Sequence, residues 1–147
     1  MNNILVTGGA GFIGANFVHY MLSMRSDINI VVLDALTYAG NLNNLAGARE
    51  NSKFKFEHGD ICDQVLVERI LEENAIDTIV HFAAESHVDR SITGPDAFIQ
   101  ANIVGTHRLL QAARGVWEKT GKLDEKRFHH VSTDEVYGSL GPDDSAF

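Results

Sequence analysis

A glycine-rich loop near the start of the sequence constrains the fold more than any other feature. Residues 4–7 (ILVT) are apolar and rich in β-branched side chains, and glycines follow at positions 8, 9, 11 and 14. Apolar residues then recur at helical spacing over residues 17–22. This pattern predicts a strand, a tight turn and a helix. Glycines at this spacing allow the sharp turn, a close approach of backbone N–H groups to a diphosphate, and packing of the helix on the strand.

An acidic residue follows the glycine loop at the distance that a dinucleotide site requires. Residues 28–34 (INIVVLD) predict a strand buried on both faces that ends at Asp34. Asp34 lies 34 − 14 = 20 positions after Gly14, where a carboxylate accepts hydrogen bonds from an adenosine ribose. We therefore expect NAD rather than NADP, because Asp34 would repel a 2′-phosphate. The alternative is that the glycines only form turns and that Asp34 caps the following loop.

Strands and helices alternate along the rest of the sequence. Residues 53–56, 76–83 and 128–132 are predicted strands, and helical patterns begin at Asp63 and run through residues 95–120. This order predicts an α/β fold with a doubly wound parallel sheet in the strand order 3-2-1-4-5 and helices on both faces.

Composition excludes several classes of protein. The chain has 147 residues, with 12 Lys and Arg against 20 Asp and Glu, for a net charge of −8. A chain this acidic does not suit nucleic acid or anionic lipid, so an anionic ligand must be held by local features such as a helix N-terminus. The apolar runs are too short to span a membrane, and Cys62 is the single cysteine. We expect a cytoplasmic protein that binds neither nucleic acid nor membranes.

The seven histidines do not form a recognisable metal site. His129 and His130 are adjacent on a predicted strand and so point to opposite faces, and no His/Cys pair has zinc spacing. We therefore expect no metal. His81, inside a predicted strand, is expected to be a core residue, whereas His87 lies in a loop where it could contact a ligand.

Asp60 has two interpretations. It follows the third predicted strand, in the sequence HGDI at residues 58–61, where its carboxylate could reach the N6 amino group of an adenine. It could equally cap the helix that follows.

Several segments together resemble the nucleotide-sugar 4,6-dehydratases of the extended short-chain dehydrogenase/reductase superfamily. They are TGGAGFIG at residues 7–14, DALTYAGN at 34–41, DI at 60–61, HFAAESHVDRS at 81–91 and STDEVYG at 132–138. The resemblance spans the whole chain. It implies that residues 1–147 are a Rossmann-type NAD-binding domain, the N-terminal part of a longer enzyme whose C-terminal substrate domain is absent.

The resemblance also implies which residues contact the cofactor. The glycine loop and the residues after it would lie against the pyrophosphate, residues 34–37 would hold the ribose, residues 60–61 would line the adenine, and residues 82–86 would border the nicotinamide. The implied cofactor-binding residues are Gly8, Gly11, Phe12, Ile13, Gly14, Asp34, Ala35, Leu36, Thr37, Asp60, Ile61, Phe82, Ala83, Ala84 and Ser86.

Three consecutive residues are the implied catalytic group: Thr133, Asp134 and Glu135. Enzymes of this kind oxidise the sugar at C4 by hydride transfer to NAD, remove water across C5 and C6, and return the hydride to C6. Elimination needs a base at C5 and an acid at the C6 hydroxyl, and Glu135 suits the base and Asp134 the acid. Thr133 and Ser86 would also contact the substrate. Since neighbouring strand residues point apart, a bend is expected at this strand end so that both acids face the sugar.

The Tyr-x-x-x-Lys pair of the superfamily is missing from this chain. Each tyrosine is followed four residues later by another residue type: Met24 after Tyr20, Leu42 after Tyr38, and Gly141 after Tyr137. Three functions therefore stay open. The first is a hydro-lyase acting on a nucleotide sugar, with dTDP-glucose as the expected substrate and a homodimer as the expected full-length form. The second is a nucleotide-sugar epimerase, which usually lacks the paired acids. The third is a non-catalytic NAD-binding fragment, since the 147 residues alone are expected to be inactive.

Overall fold

The structure, a computed structural model, describes residues 2–138, 141, 144 and 145, except for the side chains of Val88, Asp134 and Glu135. Its centre is a five-stranded sheet in the order β3-β2-β1-β4-β5, and all neighbouring strands run parallel. The strands are β1 (Asn3–Thr7), β2 (Asn29–Asp34), β3 (Phe54–His58), β4 (Thr78–His81) and β5 (Arg127–His130). The predicted fold and strand order are confirmed.

Helices connect the strands, and two of their details differ from the prediction. The helices of the described residues are α1 (Phe12–Met24), α2 (Gln64–Glu73), α3 (Val88–Thr93), α4 (Pro95–Phe98) and α5 (Thr106–Thr120). The long helix predicted over residues 95–120 contains a π-helical segment at Ile99–Gly105, and α3 was not predicted. Short 3₁₀ turns lie at Leu42–Leu45, Ala48–Glu50, Leu123–Glu125 and Asp134–Tyr137.

Both faces of the sheet are buried against helices. On one face, side chains such as Leu5 and Ile79 pack with residues of α2 and α5. On the other face, Ile4 and Val6 pack with residues of α1, including Val18. The alternation of adjacent residues between two cores explains why the first two strands read as continuous apolar runs. Each fully buried Leu or Ile stabilises the fold by about 1.5–3 kcal/mol.

Local signals set the ends of two helices. The Asp63 side chain caps α2 by accepting a hydrogen bond of 3.0 Å from the N–H of Leu66. Gly121 ends α5 in the left-handed conformation, with a φ of 65°, which costs glycine little. Within the described residues, no helix is long and apolar enough to cross a membrane.

Candidate functional site

A cleft of about 440 Å³ opens at the carboxyl edge of the sheet. The parallel strands deliver the ends of β1, β2, β3, β4 and β5 to this edge, as is usual for ligand sites in open α/β sheets. The described residues that line it are Gly8, Gly11, Phe12, Ile13, Gly14, Leu33, Asp34, Ala35, Thr37, Tyr38, Ala39, Gly40, Gly59, Asp60, Ile61, Phe82, Ala83, Ala84, Glu85, Ser86, Ala101, Val131, Ser132 and Thr133. The structure thus brings almost all the sequence-predicted site residues together.

The glycine loop forms the floor of the cleft beneath the start of α1. Gly8 has a φ of 69°, and a Cβ there would lie 2.6 Å from the backbone nitrogen of Ala83. A Cβ on Gly14 would overlap the carbonyl oxygen of Gly8 and lie 2.8 Å from the Cα of Gly9. Both positions therefore require glycine.

The first turn of α1 supplies the positive end of the cleft. Its N-cap, Gly11, provides no side-chain cap, and the first turn contains no acidic residue. The backbone N–H groups of Phe12 and Ile13 have no acceptor within the helix, as at any helix N-terminus. Together with the helix dipole they can hold a diphosphate.

Asp34 is buried at the end of β2, with 8% of its surface exposed. One carboxylate oxygen accepts a hydrogen bond of 2.8 Å from the N–H of Ala10, and the other accepts one of 2.8 Å from the N–H of Leu36. A Cβ on Gly40 would lie 2.7 Å from this carboxylate. Asp34 therefore caps its own loop, as the alternative interpretation held, and it also lines the cleft in a fixed orientation with lone pairs available to a ribose diol.

Asp60 lies in the cleft and does not cap α2. Its Oδ1 accepts a hydrogen bond of 2.8 Å from the N–H of Cys62, whereas Asp63 caps the helix. Ile61, beside it, is buried.

Burial raises the pKa of the Cys62 thiol, whose Sγ donates to the carbonyl oxygen of Gln100 at 3.4 Å.

The charges around the cleft are negative. None of the described lining residues is a Lys or Arg, and Asp34, Asp60 and Glu85 are acidic. Backbone N–H groups of α1 are consequently the means by which this cleft can hold an anion.

The segment after β4 is held in place by Asn102 of the π-helical segment. The Asn102 side chain accepts a hydrogen bond of 2.8 Å from the N–H of Glu85 and donates one of 2.9 Å to the carbonyl oxygen of Glu85. The segment is thereby anchored at Glu85, directly before Ser86, which lines the cleft. Glu85 Oε2 is buried and makes no hydrogen bond among the described residues.

His81 is buried beneath this segment and joins three elements. Its Nδ1 is 2.6 Å from the Oγ1 of Thr7 at the end of β1, and its Nε2 is 3.0 Å from the Oγ1 of Thr106 at the start of α5. Its ring centroid lies 5.1 Å from that of His130 in β5. Burial, with a smaller contribution from His130, lowers the pKa of His81 to about 4. The histidine is therefore neutral at physiological pH.

The predicted catalytic group follows β5. Thr133 is exposed and lines the cleft, and the chain turns immediately afterwards in the 3₁₀ segment Asp134–Tyr137. The turn supplies the expected bend in the backbone. The side chains of Asp134 and Glu135 lie outside the described residues.

The lining of the cleft differs from the prediction at a few residues. Leu36, which was predicted to bind the cofactor, does not line the cleft; its side chain packs against the core on the α1 face, and its φ is 51°. Leu33, Tyr38 and Glu85 line the cleft but were not predicted. The described part of the chain contains no cluster of three or more His, Cys, Asp or Glu residues that could hold a metal.

The fold and the cleft define a Rossmann-type α/β domain with a site shaped for a dinucleotide. A profile of the family described as GDP-mannose 4,6 dehydratase matches residues 5–145. The chain belongs to that family, and the resemblance read from the sequence motifs is confirmed.

Individual relatives agree with this membership. The chain is 54% identical over 145 residues to the dTDP-glucose 4,6-dehydratase of Shigella flexneri, covering 97% of the chain and 40% of that relative. A solved dTDP-glucose 4,6-dehydratase from Bacillus anthracis, in complex with NAD, matches with a TM-score of 0.82 at 42% identity, covering 100% of the chain and 42% of that structure. The UDP-glucose 4-epimerase of Brucella ovis, in complex with NAD, matches less well: TM-score 0.79 at 29% identity, covering 97% and 39%. The chain spans about 40% of the length of the curated relatives that it matches.

Proposed function

We propose that this chain is the NAD-binding domain of a nucleotide-sugar 4,6-dehydratase that acts on dTDP-glucose. The observation that carries the proposal is the single cleft that joins the glycine loop and Asp34 to Thr133, directly before Asp134 and Glu135 in the sequence. The identity of 54% to a dTDP-glucose 4,6-dehydratase supports this choice of substrate. The epimerase is less favoured, because the paired acids are present here and epimerase structures such as those from Brucella ovis and Thermus thermophilus match at only 29% and 32% identity.

The cleft fits NAD. The missing Cβ atoms of Gly8 and Gly14 leave room for the backbone turn beneath a diphosphate, and the first turn of α1 offers N–H groups to it. Asp34 would accept hydrogen bonds from the adenosine ribose, with Thr37 beside it, and Asp60 with Ile61 would border the adenine. The residues after β4, up to Ser86, would border the nicotinamide. NAD, when bound, supplies reversible hydride acceptance.

The chain's own residues would divide the elimination between them. Thr133 and Ser86 would hold the sugar through their hydroxyl groups. Glu135 would remove the C5 proton, which a ketone at C4 makes acidic, and Asp134 would donate a proton to the departing C6 hydroxyl, so that water leaves. The backbone turn at Asp134–Tyr137 supports this division, because adjacent residues of a straight strand would point to opposite faces.

The domain organisation is part of the proposal. Residues 1–147 would form the cofactor domain, and a substrate domain further along the protein would supply the Tyr and Lys of the superfamily. We also propose a cytoplasmic location and a homodimer for the complete protein. Alone, the 147 residues are expected to bind NAD and to convert no nucleotide sugar, because the group that accepts the C4 hydroxyl proton is missing.

The test uses the protein in the form its source organism makes, compared with the 147-residue chain. Incubation with dTDP-glucose and NAD should yield a 4-keto-6-deoxy sugar from the natural protein and no product from the chain. In the natural protein, Glu135→Gln should slow turnover by about 10²- to 10⁴-fold while bound NADH accumulates, since oxidation at C4 does not need this base. A C4-epimerised product would instead support the epimerase, and absence of any product from the natural protein would refute the enzyme.

A further inference from the structure

Two side chains meet across the rim of the cleft. The Arg90 guanidinium carbon lies 4.2 Å from the ring centroid of Tyr38. Tyr38 belongs to the loop after β2, and Arg90 belongs to α3, which follows β4. The contact therefore connects two segments that approach the cleft from opposite sides. Neither residue is needed for the fit to NAD argued above.

The loop that carries Tyr38 is fixed by its own hydrogen bonds. The N–H of Gly40 donates to the carbonyl oxygen of Thr37 at 3.1 Å, and the N–H of Asn41 donates to the carbonyl oxygen of Ala10 at 3.1 Å. Tyr38 thus lies at the tip of a closed turn whose base is tied to the glycine loop. These backbone hydrogen bonds do not involve Arg90.

The segment that carries Arg90 is fixed separately. Asn102 holds the backbone of Glu85 before α3. The N–H of Arg90 donates to the carbonyl oxygen of His87 at 3.0 Å, and the carbonyl oxygen of Arg90 accepts from the N–H of Gly94 at 2.9 Å. The Arg90 Nη1 is also 4.0 Å from Glu85 Oε2, the buried oxygen that makes no hydrogen bond among the described residues. A carboxylate on one side and an aromatic face on the other hold the guanidinium over the rim.

Both side chains lie at the boundary between the cleft and solvent. Tyr38 is 51% exposed, and the Arg90 side chain is 49% exposed. Tyr38 lines the cleft, while Arg90 covers the Tyr38 ring from outside. A ligand that lies along the cleft would pass this contact on entry and on exit.

We propose that Arg90 and Tyr38 form a clasp that controls the exchange of the dinucleotide. The inference rests on the proposed function, because it takes NAD as the ligand of this cleft. An enzyme that reoxidises its cofactor within each turnover gains from slow exchange, since loss of the reduced form would strand the oxidised sugar. None of the described lining residues is a Lys or Arg, so no cationic side chain among them retains the diphosphate inside the cleft. The clasp would instead slow the escape of the dinucleotide at the rim.

A rate-controlling clasp has a specific kinetic signature. The ligand must pass an open rim in both directions, so weakening the contact should raise the association and dissociation rate constants by the same factor. A cation–π contact at an exposed site corresponds to about a two- to fivefold effect. The dissociation constant should stay unchanged. If Arg90 acted instead as a charge that attracts the diphosphate, its removal would lower the association rate constant and raise the dissociation constant.

The experiment measures NADH binding by stopped-flow fluorescence and its release by excess NAD, on the purified protein. The informative variant is Tyr38→Leu, which removes the ring and leaves the Arg90–Glu85 pair in place. Arg90→Gln and the double variant, which combines Tyr38→Leu with Arg90→Gln, complete a double-mutant cycle. Tyr20→Leu, an exposed tyrosine of α1 outside the cleft, is the matched control, and Tyr38→Phe retains the ring and should restore slow exchange. Circular dichroism checks that each variant is folded.

The clasp predicts that both rate constants rise about two- to fivefold in Tyr38→Leu and in Arg90→Gln, with no further rise in the double variant, because the two changes remove one contact. Unchanged rates, additive effects, or a loss of affinity without faster association would overturn the clasp and leave the proposed NAD site standing. Failure of the unaltered protein to bind NADH would overturn both proposals.

Discussion

The buried histidine of β4 predicts how the stability of the fold depends on pH. His81 has a pKa of about 4 in the folded protein, against an ordinary value of 6.5, because burial disfavours the charged ring. A pKa lowered by folding means that the neutral ring is the form the fold prefers. Its contribution to stability is therefore complete above pH 6.5 and is lost as the pH falls from 6.5 towards 4.

The magnitude follows from the two pKa values. Full protonation would cost about 3.5 kcal/mol, because the pKa differs by about 2.5 between the two states and each pKa unit corresponds to about 1.4 kcal/mol. At pH 5 only part of this cost is incurred. The free energy of unfolding should then be about 2 kcal/mol lower than at pH 7.5, from proton linkage at His81 alone. Carboxylates whose pKa the fold lowers, such as Asp27 and Glu57, lose their contribution mainly below this range.

Urea unfolding at pH 7.5, 6.5, 5.5 and 5 measures this loss directly. A non-titrating His81→Gln variant should be less stable at pH 7.5 but should lose about 2 kcal/mol less than the unaltered protein on going to pH 5. His129→Gln, which replaces an exposed histidine of β5, is the matched control variant. If His81→Gln and the unaltered protein lose the same stability between pH 7.5 and 5, the buried neutral histidine is not the cause, and the reasoning fails.

Three further predictions concern other residues. Asp34→Asn removes the negative charge from the end of β2. It should weaken NAD binding by about tenfold or more and reduce the preference for NAD over NADP, as titration calorimetry with both cofactors would measure. Unaltered NAD affinity would exclude a role for this carboxylate. Gly14→Ala should abolish NAD binding because its Cβ would overlap the Gly8 carbonyl oxygen, whereas Gly115→Ala, with nothing within 4 Å, should raise the free energy of unfolding by about 0.5–1 kcal/mol. Trp117→Phe removes the 2.8 Å hydrogen bond from Nε1 to the Ile76 carbonyl oxygen. It should lower the free energy of unfolding by about 1–3 kcal/mol, as measured by urea denaturation. A smaller loss of unfolding free energy than in Tyr20→Leu would contradict this role of the hydrogen bond.

The sequence was sufficient for the fold because the decisive signals are local. Residues 28–34 read as a strand buried on both faces, and this holds because β2 lies between β1 and β3 with a core on each side. Asp63 signalled the start of α2 through its capping side chain. The π-helical segment was not predictable, because a helical pattern of apolar residues does not distinguish one extra residue in a turn.

The site could be predicted in part for the same reason. Gly8 and Gly14 act through their own backbone geometry, which spacing reveals. The Asn102 clamp on Glu85 and the contact of Arg90 with Tyr38 depend on which segments the tertiary fold brings together, and no local pattern encodes that. Leu36 shows the converse: it lies within a motif that contacts the cleft, but its side chain turns into the core.

The pairing of β1 with both β2 and β4 determines when the cleft can be completed as the polypeptide is synthesised. β1 and β2 leave the ribosome early and can pair at once, but the hydrogen bond between Thr7 and His81 joins positions 74 residues apart. Closing so long a loop is entropically costly and slow. The glycine loop is thus made first but gains its opposite wall only after β4 has emerged. A nascent chain arrested before that strand should not retain NAD, however well its first half has folded.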